Sequence, residues 1–226
     1  YMMGGCEFNL DCSTVLPGLF VAGEDAGGVH GANRLGGNGV ANSTVFGGIA
    51  GETMGGYIKQ IQAIPDPDQT DLDRAMTRCR RPLGKAKGNA DDIRQPLYQC
   101  MWDDVGIIRD SGSLERAGKI LKDLDTGLGE VSLDEGNLAY NLGWHDWLNL
   151  HNLLLISDAI RVAAIARENS RGAHYRADFP DAGDLTTSRY TRVFLRNGAM
   201  DVTTEPVEFN RVHPNGPAVI AKESQP

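Results

Sequence analysis

Cysteine is scarce in this sequence, and cations are nearly absent from its beginning. The 226 residues include four cysteines, none of them in a Cys-x-x-Cys pair, and no histidine lies at zinc-finger spacing. We therefore predict no metal site and expect reduced, structural thiols, although a disulfide between Cys6 and Cys12 stays open as an alternative. Arg34 and Lys59 are the only cations among the first 60 residues.

Long apolar runs are missing as well. A membrane-spanning helix needs about 20 mostly apolar residues. Six polar or charged side chains interrupt the most apolar stretch, residues 148–165: Asn149, His151, Asn152, Ser157, Asp158 and Arg161. This interruption predicts a helix of a soluble protein and no direct membrane span.

The charge balance limits the partners. The formal net charge is −8, which argues against nucleic acid and anionic membrane surfaces as direct partners. Because the overall field repels anions, an anionic substrate would need a local positive site. The sequence also begins with Tyr1 rather than methionine, so we expect a piece of a longer protein.

Glycine is concentrated at the beginning of the chain. Residues 1–60 hold 15 of the 28 glycines, which indicates tight turns or close backbone approach. The apolar run Leu19–Gly23 predicts a short buried strand, and a helical period from Val40 to about Ile61 predicts a helix packed closely against its neighbours. A glycine-rich loop ending at Gly39 lies between them.

The middle of the chain predicts helices. We expect a linker over residues 62–90, with a solvated surface loop at the basic patch between Arg78 and Lys87. Residues 91–180 predict a helical domain of three helices, which would form a small bundle. The first starts near Asp91, the second is capped by Ser113, and the third runs from about Asn137 to Glu168.

The last residues predict strands rather than helices. Residues 181–226 are expected to form an extended tail, with strand-like runs at Arg192–Leu195 and Asp201–Phe209.

The loop before the first predicted helix is a candidate anion site. A helix N-terminus preceded by glycines exposes N–H groups and a partial positive charge, which suit a phosphate or the N1–C2=O edge of a reduced flavin. The loop is neither a Gly-x-Gly-x-x-Gly turn nor a Walker loop. Taken alone it is a weak signal, and simple packing is the alternative.

Three motifs occur in order along the chain: Tyr1-Met-Met-Gly-Gly5; Gly23-Glu24 with His30-Gly-Ala-Asn-Arg34-Leu-Gly-Gly-Asn38 and Phe46-Gly47; and Ser170-Arg-Gly-Ala-His-Tyr-Arg176 with Asp178-Phe-Pro180. Together they resemble the C-terminal part of the FAD-dependent succinate dehydrogenase/fumarate reductase flavoproteins. L-aspartate oxidase and the soluble fumarate reductases are relatives of that family. The resemblance covers nearly the whole chain.

The resemblance implies a substrate role for Arg34. It would bind a carboxylate of a dicarboxylate substrate, because the guanidinium fork grips a carboxylate with two hydrogen bonds and keeps its charge. The structural alternative is an ion pair with Glu24 or Asp25.

The resemblance also implies contacts to FAD. Glu24 would hydrogen-bond ribityl or ribose hydroxyls of the cofactor, with capping of the loop's own N–H groups as the alternative. Asn38 and the N–H groups of Gly39 and Val40 would meet the flavin ring. Gly39 departs from the Ser or Ala that is common in the family, so a hydroxyl contact there would be lost.

The third motif is expected to join two domains. Arg171, His174 and Arg176 are interpreted as a buried polar joint between the helical domain and the flavin domain rather than as active-site groups. Asn169 stands where the family usually has a glutamate.

The fold that the resemblance implies is α/β plus α. Residues 1–61 would be the C-terminal segment of a Rossmann-like FAD-binding domain, followed by the three-helix-bundle domain and the short β-rich tail. The family's ADP-binding turn, its flavin-linking histidine and its arginine proton donor lie upstream of the matched region, so these 226 residues alone are expected to be inactive.

The implied reaction is interconversion of succinate and fumarate by hydride transfer to flavin N5. The alternatives are an L-aspartate oxidase or another carboxylate dehydrogenase, and a non-catalytic helical module that docks on other subunits. An iron–sulfur subunit is the expected partner of a true succinate dehydrogenase. The expected location is the cytoplasm or, through partner subunits, the periphery of the cytoplasmic membrane.

Overall fold

The computed structural model describes residues 1–61, 63–84, 87–134 and 138–216. The chain forms two compact units. Unit 1 comprises Tyr1–Leu72 and Arg171–Ala173, and unit 2 comprises Asp73–Ser170 and the described residues from His174 onward. The described helices are α1 (Asn38–Gln60), α2 (Gln69–Arg80), α3 (Asp91–Asp103), α4 (Ser111–Glu130) and α5 (Leu142–Ala166). The described strands are β1 (Leu83–Gly84), β2 (Ile108–Arg109), β3 (Leu133–Asp134), β4 (Tyr175–Arg176), β5 (Arg189–Arg196) and β6 (Ala199–Pro206).

Unit 1 contains the predicted helix but not the predicted strand. The helix expected from Val40 to about Ile61 is present as α1. The strand expected at Leu19–Gly23 is wrong, because this segment forms only an isolated bridge between Ser13 and Phe20. A strand needs a ladder of backbone partners, and here only isolated backbone hydrogen bonds form, such as the bond from Val21 N to the Cys12 carbonyl.

Residues 62–90, interpreted as a linker, include helix α2 and strand β1. Asp68 explains the helix, since its carboxylate accepts hydrogen bonds from the N–H groups of Thr70 and Asp71 at 2.8 and 3.2 Å, as an N-cap residue does. The basic patch is solvent-exposed as predicted, but it is not a simple loop because Arg78 and Arg80 belong to α2. Lys85, in the same patch, is outside the described residues.

Unit 2 is built around α3, α4 and α5, which share one hydrophobic core. Leu97 on α3 and Leu114 and Leu121 on α4 are buried there, at the helical spacing of an apolar face. Ser113 does not cap α4 as predicted. Asp110 does so, and Ser113 returns the contact from the third position of the helix, which is the reciprocal arrangement of a capping box.

The third predicted helix is shorter than expected. Asn137 lies outside the described residues, and α5 begins at Leu142, after Asn141 accepts a hydrogen bond from Trp144 N at 3.0 Å. Tyr140 has a φ of 60°, which a right-handed helix does not allow. By length and composition α5 is apolar enough to cross a membrane, with a mean hydropathy of 1.3, but one face of it packs in the core of unit 2.

The predicted strands near the end of the chain pair as a hairpin. β5 and β6 are antiparallel, with Val193 opposite Val202. Asn197 and Gly198 connect them with φ angles of 51° and 77°, as in a two-residue hairpin turn. The strand that was expected to reach Phe209 ends at Pro206.

All four cysteines are described, and all are free thiols. The expectation of reduced cysteines is therefore met, and the alternative disulfide between Cys6 and Cys12 is absent from the described chain.

The third motif anchors the ends of two helices of unit 2. Arg176 is only 1% exposed. Its Nη1 donates to the carbonyls of Ala164 and Ile165 at 2.9 and 3.0 Å, and its Nη2 donates to Ser111 Oγ and Asp178 Oδ2. The Arg176 guanidinium holds the pKa of the Asp178 carboxyl well below its usual range. The buried cation is thus paired with a carboxylate and hydrogen-bonded to the helix ends.

His174 bridges other groups of the same unit. Its Nε2 lies 3.0 Å from the carbonyl of Arg167, and its Nδ1 lies 3.4 Å from Arg109 Nη1. A neutral ring protonated at Nε2 satisfies both contacts, because the carbonyl only accepts and the guanidinium only donates. Burial lowers the pKa of His174, and the nearby Arg109, Arg167 and Arg176 act in the same direction.

We expect Leu114→Ala to destabilise the helical core. Leu114 is fully buried, and truncating a buried leucine costs about 2–5 kcal/mol through lost burial and a residual cavity. Leu142→Ala is the matched control, because Leu142 is 77% exposed. Urea unfolding of the protein carrying this chain measures both, and equal losses for the two variants would contradict the described core.

We expect the free energy of unfolding to fall in mild acid because of His174. Its folded-state pKa is depressed relative to about 6.5 in the unfolded chain, so its contribution is fully present above that pH and is lost as pH falls below it. His174→Gln removes the titration while keeping an amide donor and acceptor. Urea unfolding between pH 7.5 and 5.5 should show a steeper loss in the wild type, and parallel curves would rule out this role.

Candidate functional site

The glycine-rich loop leaves the start of α1 without a side-chain cap. Gly37 is the N-cap residue, no side chain of the described chain accepts a hydrogen bond there, and the first turn has no acidic residue. The first N–H groups of a helix lack intrahelical acceptors and lie at the positive end of its dipole. This helix end therefore favours an anion.

Arg34 lies in the same loop with unused hydrogen-bonding capacity. Its Nη1 donates to the Leu35 carbonyl at 3.2 Å, and the guanidinium carbon lies 4.6 Å from the centre of the Tyr1 ring. Its Nε is buried and has no partner among the described residues. Buried donors are normally satisfied, so an acceptor from outside the described chain fits this position.

The structural alternative for Arg34 is not formed. Neither Glu24 nor Asp25, nor any other carboxylate of the described residues, makes an ion pair with Arg34. The one cation of the loop is therefore available to a negatively charged ligand, in a chain whose net charge of −8 otherwise repels anions.

A buried polar cluster holds the ring that supports Arg34. Asn42 is 5% exposed, and its Nδ2 donates to the Tyr1 hydroxyl at 3.0 Å and to the Gly23 carbonyl at 3.1 Å. His30 Nε2 lies 3.1 Å from the same hydroxyl. Sequence reasoning assigned no role to Tyr1 or Asn42. The sequence signal for Asn42 is a polar residue inside a predicted helix of small and apolar residues, which indicates a buried hydrogen-bonding group.

Arg34 and Tyr1 border one cleft of about 600 Å³. Its lining residues are Tyr1, Arg34, Gly37, Gly39, Val40, Ser43 and Thr44. The structure thus brings together three of the predicted site residues, Arg34, Gly39 and Val40. Asn38 is the first residue of α1 but is not part of the lining.

Glu24 stands apart from this cleft. Its Oε1 accepts a hydrogen bond from the Met2 N–H at 2.7 Å, which belongs to the first motif, so the alternative in which Glu24 caps the loop's own N–H groups is not seen among the described residues. About half of its side chain remains exposed, which leaves acceptor capacity for a ligand. Its role as a cofactor ligand stays a prediction.

Two family models match the chain. A model described as the C-terminal part of the fumarate reductase flavoprotein matches residues 94–219, more than half of the chain. The chain belongs to the succinate dehydrogenase/fumarate reductase flavoprotein family. A model of an FAD-binding domain matches residues 1–40, which include Glu24, Arg34 and the start of α1. FAD is therefore the cofactor of this flavoprotein, as the motifs predicted.

Individual relatives agree with the family. The fumarate reductase flavoprotein of Haemophilus influenzae is 30% identical over 95% of the chain and 36% of its own length. The L-aspartate oxidase of Synechocystis sp. is 30% identical over 87% of the chain and 37% of its own length. The structure of Mycobacterium smegmatis Sdh1 in complex with UQ1 is similar with a TM-score of 0.80 and 33% identity, over 92% of the chain and 35% of that chain. The chain thus spans about a third of the length of the relatives it matches.

The residues present fit a flavin cofactor beside an anionic ligand. The uncapped start of α1 can accept negative charge, and Arg34 offers a buried donor without a partner among the described residues. Both features lie within or directly beside the residues that the FAD-binding model matches.

We expect Glu24→Ala to weaken FAD binding by about 10- to 100-fold, because a hydrogen bond to a charged group contributes about 1.5–3 kcal/mol. Glu52→Ala is the control, since Glu52 is an exposed carboxylate on α1. Flavin absorbance during titration of the apoprotein with FAD measures both affinities. Unchanged FAD affinity in Glu24→Ala would restrict Glu24 to its contact with Met2.

Proposed function

We propose that this chain is the C-terminal part of an FAD-dependent oxidoreductase that interconverts succinate and fumarate, or a similar dicarboxylate pair. The observation that carries the proposal is the buried Nε of Arg34 beside the start of α1, neither of which has a side-chain partner among the described residues. In this flavoprotein family, a cation next to the cofactor-binding segment suits a carboxylate substrate.

Arg34 would orient the substrate. Its guanidinium fork can hold a carboxylate with two parallel hydrogen bonds, and it stays charged at any working pH. The Tyr1 ring, fixed by Asn42 and His30, would keep the guanidinium in place while the substrate enters. A held carboxylate limits the motion of the neighbouring carbons, which lowers the entropic part of the barrier.

The start of α1 and Glu24 would hold the cofactor. FAD, when bound, supplies the hydride acceptor at flavin N5. Asn38 and the N–H groups of Gly39 and Val40 would face the ring system, where the positive end of the helix stabilises negative charge without reorganisation. Glu24 would accept hydrogen bonds from cofactor hydroxyls through its exposed oxygen.

The complete site would need more than these residues. The family resemblance assigns the ADP-binding turn and the arginine that handles the proton to a region upstream of the matched segments. We therefore propose that the 226 residues alone do not turn over substrate.

The proposed architecture follows the family. Residues 1–61 would complete a Rossmann-like FAD-binding domain, residues 62–90 would link it to a helical domain at 91–180, and residues 181–226 would be the tail. The core shared by α3, α4 and α5 supports a three-helix bundle in that domain.

The proposed setting is a multi-subunit enzyme. Several relatives are named as subunits, which supports partnership with an iron–sulfur subunit. In that setting the protein would be cytoplasmic or peripheral on the cytoplasmic membrane through its partners, without nucleic acid as a partner.

One alternative function has specific support. The L-aspartate oxidase relative favours a different carboxylate substrate at the same site. A non-catalytic docking module is the other alternative. Flavin absorbance of the full-length protein, together with oxidation of succinate and of L-aspartate with an artificial dye, separates these possibilities. A colourless protein that stays inactive with added FAD would favour the docking module.

We expect Arg34→Ala to raise the Michaelis constant for the dicarboxylate and to lower turnover while flavin stays bound. Loss of two charge-assisted hydrogen bonds of about 1.5–3 kcal/mol each predicts a fall in kcat/KM of about 10²- to 10⁴-fold. Steady-state kinetics and flavin absorbance of the full-length protein provide the measurement.

Arg196→Ala is the matched control for this variant. Arg196 is a largely exposed arginine on β5, paired with Asp201, so its removal should leave kcat/KM unchanged. Loss of flavin with normal kinetics in the remaining holoenzyme would show that Arg34 binds the cofactor rather than the substrate.

A further inference from the structure

A short segment from late in the chain belongs to the unit that carries the candidate site. Arg171–Ala173 is part of unit 1, whereas the residues on both sides of it belong to unit 2. The segment follows α5, more than a hundred residues after the Arg34 loop. It is therefore placed there by the fold rather than by proximity along the sequence.

The backbone of this segment lies directly on the loop that carries Arg34. The Ala173 N–H donates to the Ala32 carbonyl at 3.0 Å. This is the one backbone hydrogen bond that joins residues 31–34 to a distant segment of the described chain. The accepting carbonyl belongs to the peptide between Ala32 and Asn33, and Asn33 directly precedes Arg34.

Glycine at position 172 is required for this approach. A Cβ at Gly172 would lie 2.5 Å from the Ala32 carbonyl oxygen, 2.6 Å from its carbon and 2.8 Å from Asn33 Cβ. Two of these atoms are backbone and cannot rotate away. The φ of Gly172 is also positive, at 56°. Any side chain at this position would clash with the Ala32–Asn33 peptide and displace it.

Among the described residues, close packing does not fix the glycines of this loop. Its other glycines, Gly31, Gly36 and Gly37, have open space where a side chain would be. Arg34 itself is supported by the adjacent Leu35 carbonyl and by the Tyr1 ring, and neither contact fixes the backbone before it. The backbone contact from Gly172 and Ala173 supplies that constraint.

We propose that Gly172 is a positioning residue for Arg34. By letting the Arg171–Ala173 backbone lie against Ala32 and Asn33, it sets the direction in which the Arg34 guanidinium points. The proposal rests on the proposed role of Arg34 in binding a substrate carboxylate. It adds that the geometry of this site depends on a glycine from the segment after α5.

The test uses Gly172→Ala in the full-length holoenzyme. We expect the Michaelis constant for the dicarboxylate to rise and kcat/KM to fall about 10- to 100-fold, because misplacement by about 1 Å has effects of this size. Flavin content should be unchanged. Gly198→Ala is the control, since Gly198 has a φ of 77° with open space around it, so it matches the backbone strain without the collision.

A double variant separates this proposal from the proposed function. In the Arg34→Ala background, Gly172→Ala should have no further effect on kcat/KM, because both changes remove the same interaction. Additive losses would overturn the positioning role. If Arg34→Ala has normal kinetics, the proposed function fails. If only Gly172→Ala has normal kinetics, the proposed function stands and the positioning role is wrong.

Amide hydrogen exchange tests the contact without altering Gly172, should that variant fail to fold. Malonate, a dicarboxylate that cannot be dehydrogenated, should slow exchange of the Ala173 N–H in the wild-type holoenzyme, because a bound carboxylate holds the Arg34 loop against it. The Arg34→Ala protein should show no such protection. Exchange that is independent of malonate in the wild type would overturn the proposal.

Discussion

A buried guanidinium group must keep all of its hydrogen-bond partners, and the segment after α5 is organised by that requirement. Arg176 is almost completely buried, and it is satisfied by carbonyls at the end of α5, by Ser111 at the start of α4 and by Asp178. Leaving such a charge unpaired would be strongly unfavourable. The helix ends of unit 2 and the path of the chain beyond α5 therefore depend on one another.

The opposite condition holds at Arg34. There the guanidinium is partly buried, but one of its nitrogens has no partner among the described residues, and no described carboxylate neutralises it. The same type of side chain therefore has a structural role at Arg176 and is suited to ligand binding at Arg34. Arg176 has hydrogen-bond acceptors from the fold and therefore links the ends of two helices. Arg34 has a nitrogen without an acceptor among the described residues and therefore suits an external anion.

The helical core could be predicted well from periodicity, whereas element ends could not. Burial of Leu97 and Leu114 follows from their spacing, because a helix repeats its faces every 3.6 residues. Just before α5, Tyr140 has a positive φ. The spacing of apolar residues carries no information about such a backbone angle. Helix α2 inside the predicted linker at residues 62–90 was not expected, because its start depends on a local hydrogen bond to the Asp68 carboxylate rather than on apolar periodicity.

By itself the sequence determined the family resemblance and with it the cofactor, because three motifs occur in order along the chain, and it identified Arg34 as the one cation of the loop. Tertiary structure alone decided that no described carboxylate forms an ion pair with Arg34, that Tyr1 and Asn42 support Arg34, and that Gly172 lies against its loop. The physical reason is distance along the chain. Hydrogen-bond satisfaction and close packing are properties of neighbours in space, and these neighbours are separated by tens to more than a hundred residues in the sequence.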